Sequence, residues 1–313
     1  MVYKVILIYS FLILTLFSKE LITPIPFEDD FDFNKALLGK KLFFDTRLSS
    51  NNTISCASCH IIADGGDDNL PFSFGIDMQL GGRNSPTVLN ARYNVWQFWD
   101  ASAKDLQDQA KGPIHNPVEM GSNFDEVISK LQKDKQYVQD FHKNYKDGIT
   151  GLNITNAIGE FEKTLITPNS RFDKYLRGDK TALSEDEIKG YKVFKEYGCI
   201  SCHNGVNIGG NLIQKIGLMK ELKTKDLGRY NITKNENDKY YFKVPSLRNI
   251  ALTAPYFHNG EVETLKEAVE LMVKYQVGFL LSDEAMDNLL KYLKTLTGEL
   301  PKLIEDKNEK INN

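Results

Sequence analysis

The sequence predicts a mainly α fold built from two similar halves with long loops. A cysteine–histidine cluster occurs twice, as SCASCH at 55–60 and GCISCH at 198–203, and the two copies use all four cysteines. A shorter pattern, G-x-K-L/V-F, precedes each copy. It reads GKKLF at 39–43, 13 residues before Cys56 counted from its phenylalanine, and GYKVF at 190–194, 5 residues before Cys199. Apolar residues recur at helical spacing in several stretches, whereas the alternation that marks strands is scarce. A chain of 313 residues, 41% hydrophobic and 26% charged, has an ordinary globular composition and is long enough for two domains of typical size.

The elements follow in order. Residues 1–18 read as a secretory signal peptide: a lone Lys4, an apolar run from Val5 to Phe17, then a polar turn at Ser18–Glu20. The run is too short to span a bilayer comfortably. No small-x-small cleavage site follows it, so an uncleaved anchor is the alternative. No other stretch approaches about 20 apolar residues, so the mature protein is expected to be soluble and periplasmic. A first domain is expected over 26–167, with helices at Phe124–Phe141 and Thr155–Leu165. The connection near Thr167–Leu176 marks the boundary to a second domain over 168–300. The helix there is well marked: Ser184 and Glu187 form a capping box, Ile188, Tyr191 and Phe194 share a face, and Gly198 suits the stop. Further helices are expected at Thr264–Val277 and Ser282–Leu296, the last ended by Gly298 and Pro301. Residues 301–313 have no apolar pattern and read as a solvated tail. Net charge is −3, so no basic field points to nucleic acid.

Each cluster has the form C-x-x-C-H, the spacing for covalent attachment of haem c. Cys56 and Cys59, and again Cys199 and Cys202, would form thioethers to the haem vinyl groups, and His60 and His203 would be the proximal iron ligands. A zinc site built from the two C-x-x-C pairs would leave both histidines without a purpose. Two covalently bound haems are therefore expected. Haem c is attached outside the cytoplasm, in agreement with the leader.

Around these clusters the chain resembles the bacterial di-haem cytochrome c peroxidases, which are related to MauG. The resemblance runs from about Leu38 to Leu300. It rests on LGKKLFFDTRLS (38–49), RNSPTVLNA (83–91), QFWD (97–100), QAKGPIHNPVEMG (109–121), AIGEFEKTL (157–165), CISCHNGVNIGG (199–210), FKVPSLRNIALTAPYFHNG (242–260) and LKEAVELM (265–272). It implies two cytochrome c-like domains: an N-terminal one where peroxide reacts and a C-terminal one that receives electrons. Met272 lies at the place of the axial methionine of the C-terminal haem, although its spacing with Leu265 and Val269 also suits a core stripe. Some protein-oxidising relatives carry Tyr there. In many relatives a histidine before RNSPT caps the N-terminal haem at rest. Here that loop is PFSFGIDMQLGG (71–82), with Ile76 at the expected place. An open iron is expected, with Met78 and His115 as the alternative caps.

The resemblance further implies Glu119 as the acid–base residue, Gln109 as its hydrogen-bonding companion and Trp99 as the aromatic between the haems. It also implies a calcium ion held by the Asn84 side chain and the carbonyls of Thr253 and Pro255, a ligand set that suits a hard cation. The expected reaction is reduction of hydrogen peroxide to water with electrons from a small c-type cytochrome or a cupredoxin, in a chain that forms a homodimer. The rival readings are a MauG-like oxidase that modifies a partner protein and a di-haem electron carrier with no peroxidase activity.

Overall fold

The computed structural model describes residues 20–27, 30–222 and 224–305. The expected signal peptide, 1–18, lies outside the described residues. The fold is mainly α, as the periodicity predicts. The first half carries α1 (Phe33–Phe43), α2 (Cys56–Cys59), α3 (Leu106–Gln109), α4 (Lys111–His115), α5 (Phe124–Leu131), α6 (Lys135–Asn144) and α7 (Gly151–Glu162). The second carries α8 (Arg171–Leu176), α9 (Glu185–Glu196), α10 (Tyr230–Thr233), α11 (Leu265–Leu271) and α12 (Asp283–Lys294). Two short antiparallel strands, β1 (Ile213–Lys215) and β2 (Tyr241–Lys243), pair with Gln214 opposite Phe242.

Each half is organised on one helix crossing. In the first, α1 meets α7 at Gly39, where a β-carbon would stand 1.8 Å from the Ala157 carbonyl oxygen. In the second, α9 meets α12 at Gly190, where it would stand 1.9 Å from the carbonyl oxygen of Asn288. Four residues on from these contacts lie Phe161 and Tyr292, and the repeat phenylalanines pack on them, Phe43 on Phe161 at 5.2 Å and Phe194 on Tyr292 at 5.3 Å between ring centroids. The G-x-K-L/V-F repeat therefore encodes a backbone-close crossing and the aromatic that locks it. The partner helices repeat as well: Lys163-Thr164-Leu165 ends α7 as Lys294-Thr295-Leu296 ends α12. Thr164 and Thr295 each return a hydroxyl bond to the carbonyl three residues back, and both leucines are fully buried.

The stretch Phe124–Phe141, expected as one helix, is two. Asp134 interrupts it, its carboxylate accepting from the backbone N–H groups of Gln136 and Tyr137 to start α6. Asp134→Ala should therefore cost about 1 kcal/mol of stability in denaturant unfolding. Helix α7 begins before Thr155, because Thr150 caps it. The capping box at Ser184 and Glu187 is present, and Gly198 takes the left-handed conformation, φ 81°. The stretch Thr264–Val277 divides into α11 and a π-helical turn from Met272 to Val277.

The two cores exchange chain ends. Ile22 is buried in the core of the second half, ahead of the first half in sequence, and Ile25 donates its N–H to Asp173. Asp173 also forms a fully buried ion pair with Arg248 at 2.8 Å, and Arg248 in turn donates to the Thr23 carbonyl. At the other end, where a solvated tail is expected, Leu303 and Ile304 lie against the core of the first half.

Candidate active site

Each cysteine–histidine cluster opens into its own cavity. In the first half α2 presents Cys56, Cys59 and His60 to a cavity of about 1110 Å³, which Glu119, Gln109 and Trp99 also line. In the second half Cys199, Cys202 and His203 line a cavity of about 510 Å³, and Met272 lies on its wall. The four thiols form no disulfide, and among the described residues no three His, Cys, Asp or Glu side chains converge to hold a metal ion. The zinc alternative therefore fails on geometry.

Both histidines are oriented alike. Nδ1 of His60 stands 3.2 Å from the Gly66 carbonyl, and Nδ1 of His203 stands 3.3 Å from that of Ile208. A carbonyl only accepts, so Nδ1 carries the proton and Nε2 keeps its lone pair for a metal. Burial lowers the pKa of both, that of His203 to about 4, so the imidazoles are neutral. Met272 begins the π-helical turn, a backbone form often met at functional sites, and shares the cavity of His203.

Glu119 is set by a close backbone clasp. Asn116 donates its side-chain amide to Oε1 of Glu119 at 2.7 Å, and the Ile76 N–H bonds the Glu119 carbonyl at 2.8 Å. Gly75 makes this approach possible, since a β-carbon there would lie 2.0 Å from the Val118 carbonyl oxygen. Burial raises the Glu119 carboxyl above the usual range, partly offset by the Asn116 bond. Gln109 ends α3 on the same cavity.

The expected alternative caps lie elsewhere. Met78 is 71% exposed, His115 is exposed with its ring edge-on to Phe124, and neither lines the first cavity. Ile76 is buried with its Cδ1 beside Gly121 and is likewise outside the cavity lining. Met120, buried next to Glu119, does line it.

A single wall separates the two cavities. Asn84, Ser85, Pro86, Thr87, Trp99 and His258 line both. The wall is itself duplicated. Pro86, Asn90, Phe98 and Trp99 correspond at one constant spacing to Pro245, Asn249, Phe257 and His258, and Asn90, Phe98, Asn249 and Phe257 share the left-handed conformation. Trp99 and His258 meet with ring centroids 6.3 Å apart, and the indole N–H donates to the Asn84 carbonyl at 2.9 Å.

Three buried charges escaped the sequence reading. Glu162 on α7 lines the first cavity, its Oε2 has no hydrogen-bond partner, and burial lifts its pKa to about 8. Lys243 is buried on the second cavity, and desolvation lowers its pKa to about 8. Its backbone N–H bonds the Trp99 carbonyl at 2.7 Å. Asp67, 1% exposed, leaves Oδ1 without a partner. Glu162 and Lys243 lie in AIGEFEKTL and FKVPSLRN, but nothing in the local pattern marks them as buried. A buried ammonium costs free energy when it is unpaired, and among the described residues no carboxylate forms an ion pair with Lys243.

The sequence model of the di-haem cytochrome c peroxidases matches residues 33–181, and that of cytochrome c matches residues 188–297. The cytochrome c551 peroxidase of Nitrosomonas europaea is 47% identical over 91% of this chain and 86% of its own length. The chain belongs to the di-haem cytochrome c peroxidase family. Haem c is the cofactor that this family and its cytochrome c domains imply, and the donor sets on the two cavities fit it. The cytochrome c peroxidase Ccp of Escherichia coli is 49% identical over 92% of the chain, which spans 63% of that relative's length. Among solved structures, a MauG-like protein associated with microbial copper homeostasis superposes with a TM-score of 0.77 at 27% identity, covering 90% of this chain and 94% of that one.

Proposed function

We propose that this chain reduces hydrogen peroxide to two waters, consuming two protons and two electrons from a small c-type cytochrome or cupredoxin. The observation that carries the reading is the pairing of cavities through one wall, with a buried carboxyl and an amide on the first and a Met–His pair on the second. Haem c bound in the first cavity supplies the redox chemistry of O–O cleavage. Glu119 moves the proton: Oε1 is held by Asn116, so Oε2 takes a proton from the near peroxide oxygen and returns it to the far one. Gln109 offers its amide to orient the peroxide. Trp99, on the shared wall, lies on the electron path between the halves.

His203 and Met272, on one cavity, are the residues that would hold the second haem. A thioether favours the reduced state, which suits the site where electrons arrive. Lys243 adds a cation there. Lys243→Met should lower the midpoint potential of that haem, measured by spectroelectrochemical titration. For the first haem we assign His60 alone, because Met78 and His115 face away from the cavity. One high-spin haem is therefore expected in the resting spectrum.

The calcium reading, with Asn84, Thr253 and Pro255, is part of this proposal. So are export to the periplasm and assembly as a homodimer. Among the described residues no helix is long and apolar enough to cross a membrane. The deciding test is peroxide-dependent oxidation of a reduced small cytochrome c by the fully oxidised protein. Turnover without a lag is the expected result. Absence of turnover in both the oxidised and the half-reduced protein would overturn the reading.

A further inference from the structure

The carboxylate of Asp67 is the least explained group in the fold. It is 1% exposed, and its Oδ1 receives no hydrogen bond. A buried carboxylate oxygen without a donor costs free energy unless a proton or a cation meets it.

Among the described residues, the charges that act on Asp67 are those of Asp68 and Asp64, both negative. Asp67 lines the same cavity as Asn84, Thr253, Pro255 and Tyr256. Two measures bring its side chain to the 252–255 segment. A β-carbon on Gly65 would lie 3.2 Å from Oδ1 of Asp67 and 3.0 Å from the Leu252 carbonyl oxygen, so both oxygens flank Gly65. The charge of Asp67 also acts on the Tyr256 hydroxyl, next to Pro255 in the chain. Asn84 donates its amide Nδ2 to the Leu70 carbonyl at 2.9 Å, which leaves its Oδ1 directed elsewhere as an acceptor. Among the described residues no backbone hydrogen bond ends on the carbonyl of Thr253 or of Pro255.

We infer that Asp67 is a direct anionic ligand of a divalent calcium ion, joining the Asn84 side-chain oxygen and the carbonyls of Thr253 and Pro255. This inference rests on the calcium reading above and changes its character. The set implied by resemblance is wholly neutral, whereas Asp67, itself 1% exposed, supplies a negative charge. An all-oxygen set with a carboxylate is hard-cation chemistry, and it offers no nitrogen or sulfur to a transition metal. The site also joins the halves: Asp67 and Asn84 come from the first, Thr253 and Pro255 from the second. On its own loop Asp67 takes the Ile61 N–H on its carbonyl at 3.1 Å, one residue after the Gly66 carbonyl that orients His60. A cation on this carboxylate therefore pins the loop that aims the first proximal histidine.

The test uses the full-length holoprotein stripped with a chelator and titrated calorimetrically with Ca²⁺. The wild type should bind one ion, and Asp67→Asn should weaken that binding at least tenfold while the haem spectrum stays unchanged. Asp68→Asn, which removes the neighbouring charge, should leave the affinity as it was. Equal affinities in wild type and Asp67→Asn would overturn the assignment, and so would an equal loss in both variants. If Asp67→Asn does not fold, the infrared difference spectrum of wild type with and without Ca²⁺ decides. A shifted carboxylate band supports ligation, and an unchanged carboxylate region refutes it. None of these readouts depends on peroxide turnover, so the peroxidase reading and this one can fail separately.

Discussion

Replacing Glu119 by glutamine should lower kcat/KM for peroxide by about 10³-fold, within the range of 10²–10⁴ ordinarily lost with a positioned acid–base group. Glutamine preserves the shape and can still meet Asn116, so the clasp around residues 75–76 should survive and the haem spectrum should not change. The loss should appear in kcat with little change in KM for the electron donor. The wild-type pH profile gives an independent check. In the proposed mechanism Glu119 must be ionised to accept the first proton, and burial raises its pKa above the ordinary carboxylate value. Activity should therefore fall on the acid side as pH drops through that raised pKa, and Glu119→Gln should flatten this limb. Stopped-flow turnover across pH measures both. A variant with near wild-type rate would remove Glu119 from the mechanism.

The largest stability effects should come from two glycines far from the chemistry. Glycine to alanine inside a helix usually stabilises, by up to about 1 kcal/mol. At Gly39 and Gly190 the sign should reverse. The new methyl would stand 1.8 Å from the Ala157 carbonyl oxygen in the first case and 1.9 Å from that of Asn288 in the second. Neither obstacle is a flexible side chain, so the helices must separate and the aromatic locks at Phe161 and Tyr292 must loosen. Each substitution should cost about 3 kcal/mol or more. Gly82→Ala, where nothing lies within 4 Å, is the control and should be close to neutral. Thermal and urea unfolding of the three variants measures this directly.

The same crossings show what the sequence can disclose. The two C-x-x-C-H clusters, the G-x-K-L/V-F repeat and the Ser184–Glu187 capping box are local patterns, and local patterns survive into the fold. The second repeat, Lys163–Leu165 against Lys294–Leu296, is three residues long and gains meaning only once α7 and α12 are seen as equivalents. The break at Asp134 is hidden because good helix formers flank it on both sides; only the carboxylate's return to the backbone reveals a cap. Asp67, Glu162 and Lys243 were harder still. A charged residue in a loop or at a helix end reads as solvated by default. Their burial is decided by segments more than 100 residues away in the case of Asp67 and the 252–255 carbonyls. Nor could the sequence say that Met78 and His115 lie off the first cavity, since that depends on which way a loop and a short helix turn their side chains.

The exchanged chain ends bear on how the molecule comes apart. Ile22 and Thr23 are stitched to the second half by its core and by Arg248, while Ile304 receives the Lys40 ammonium on its carbonyl at 2.8 Å in the first. The halves are thus nested rather than strung in series. A cut near residue 168 would not yield two self-sufficient modules: the second piece would lose the N-terminal segment that seals its core, and the first would lose the clasp that Leu303 and Ile304 lay across it. Melting of either haem domain should drag the other with it, so both Soret bands should bleach in a single cooperative transition.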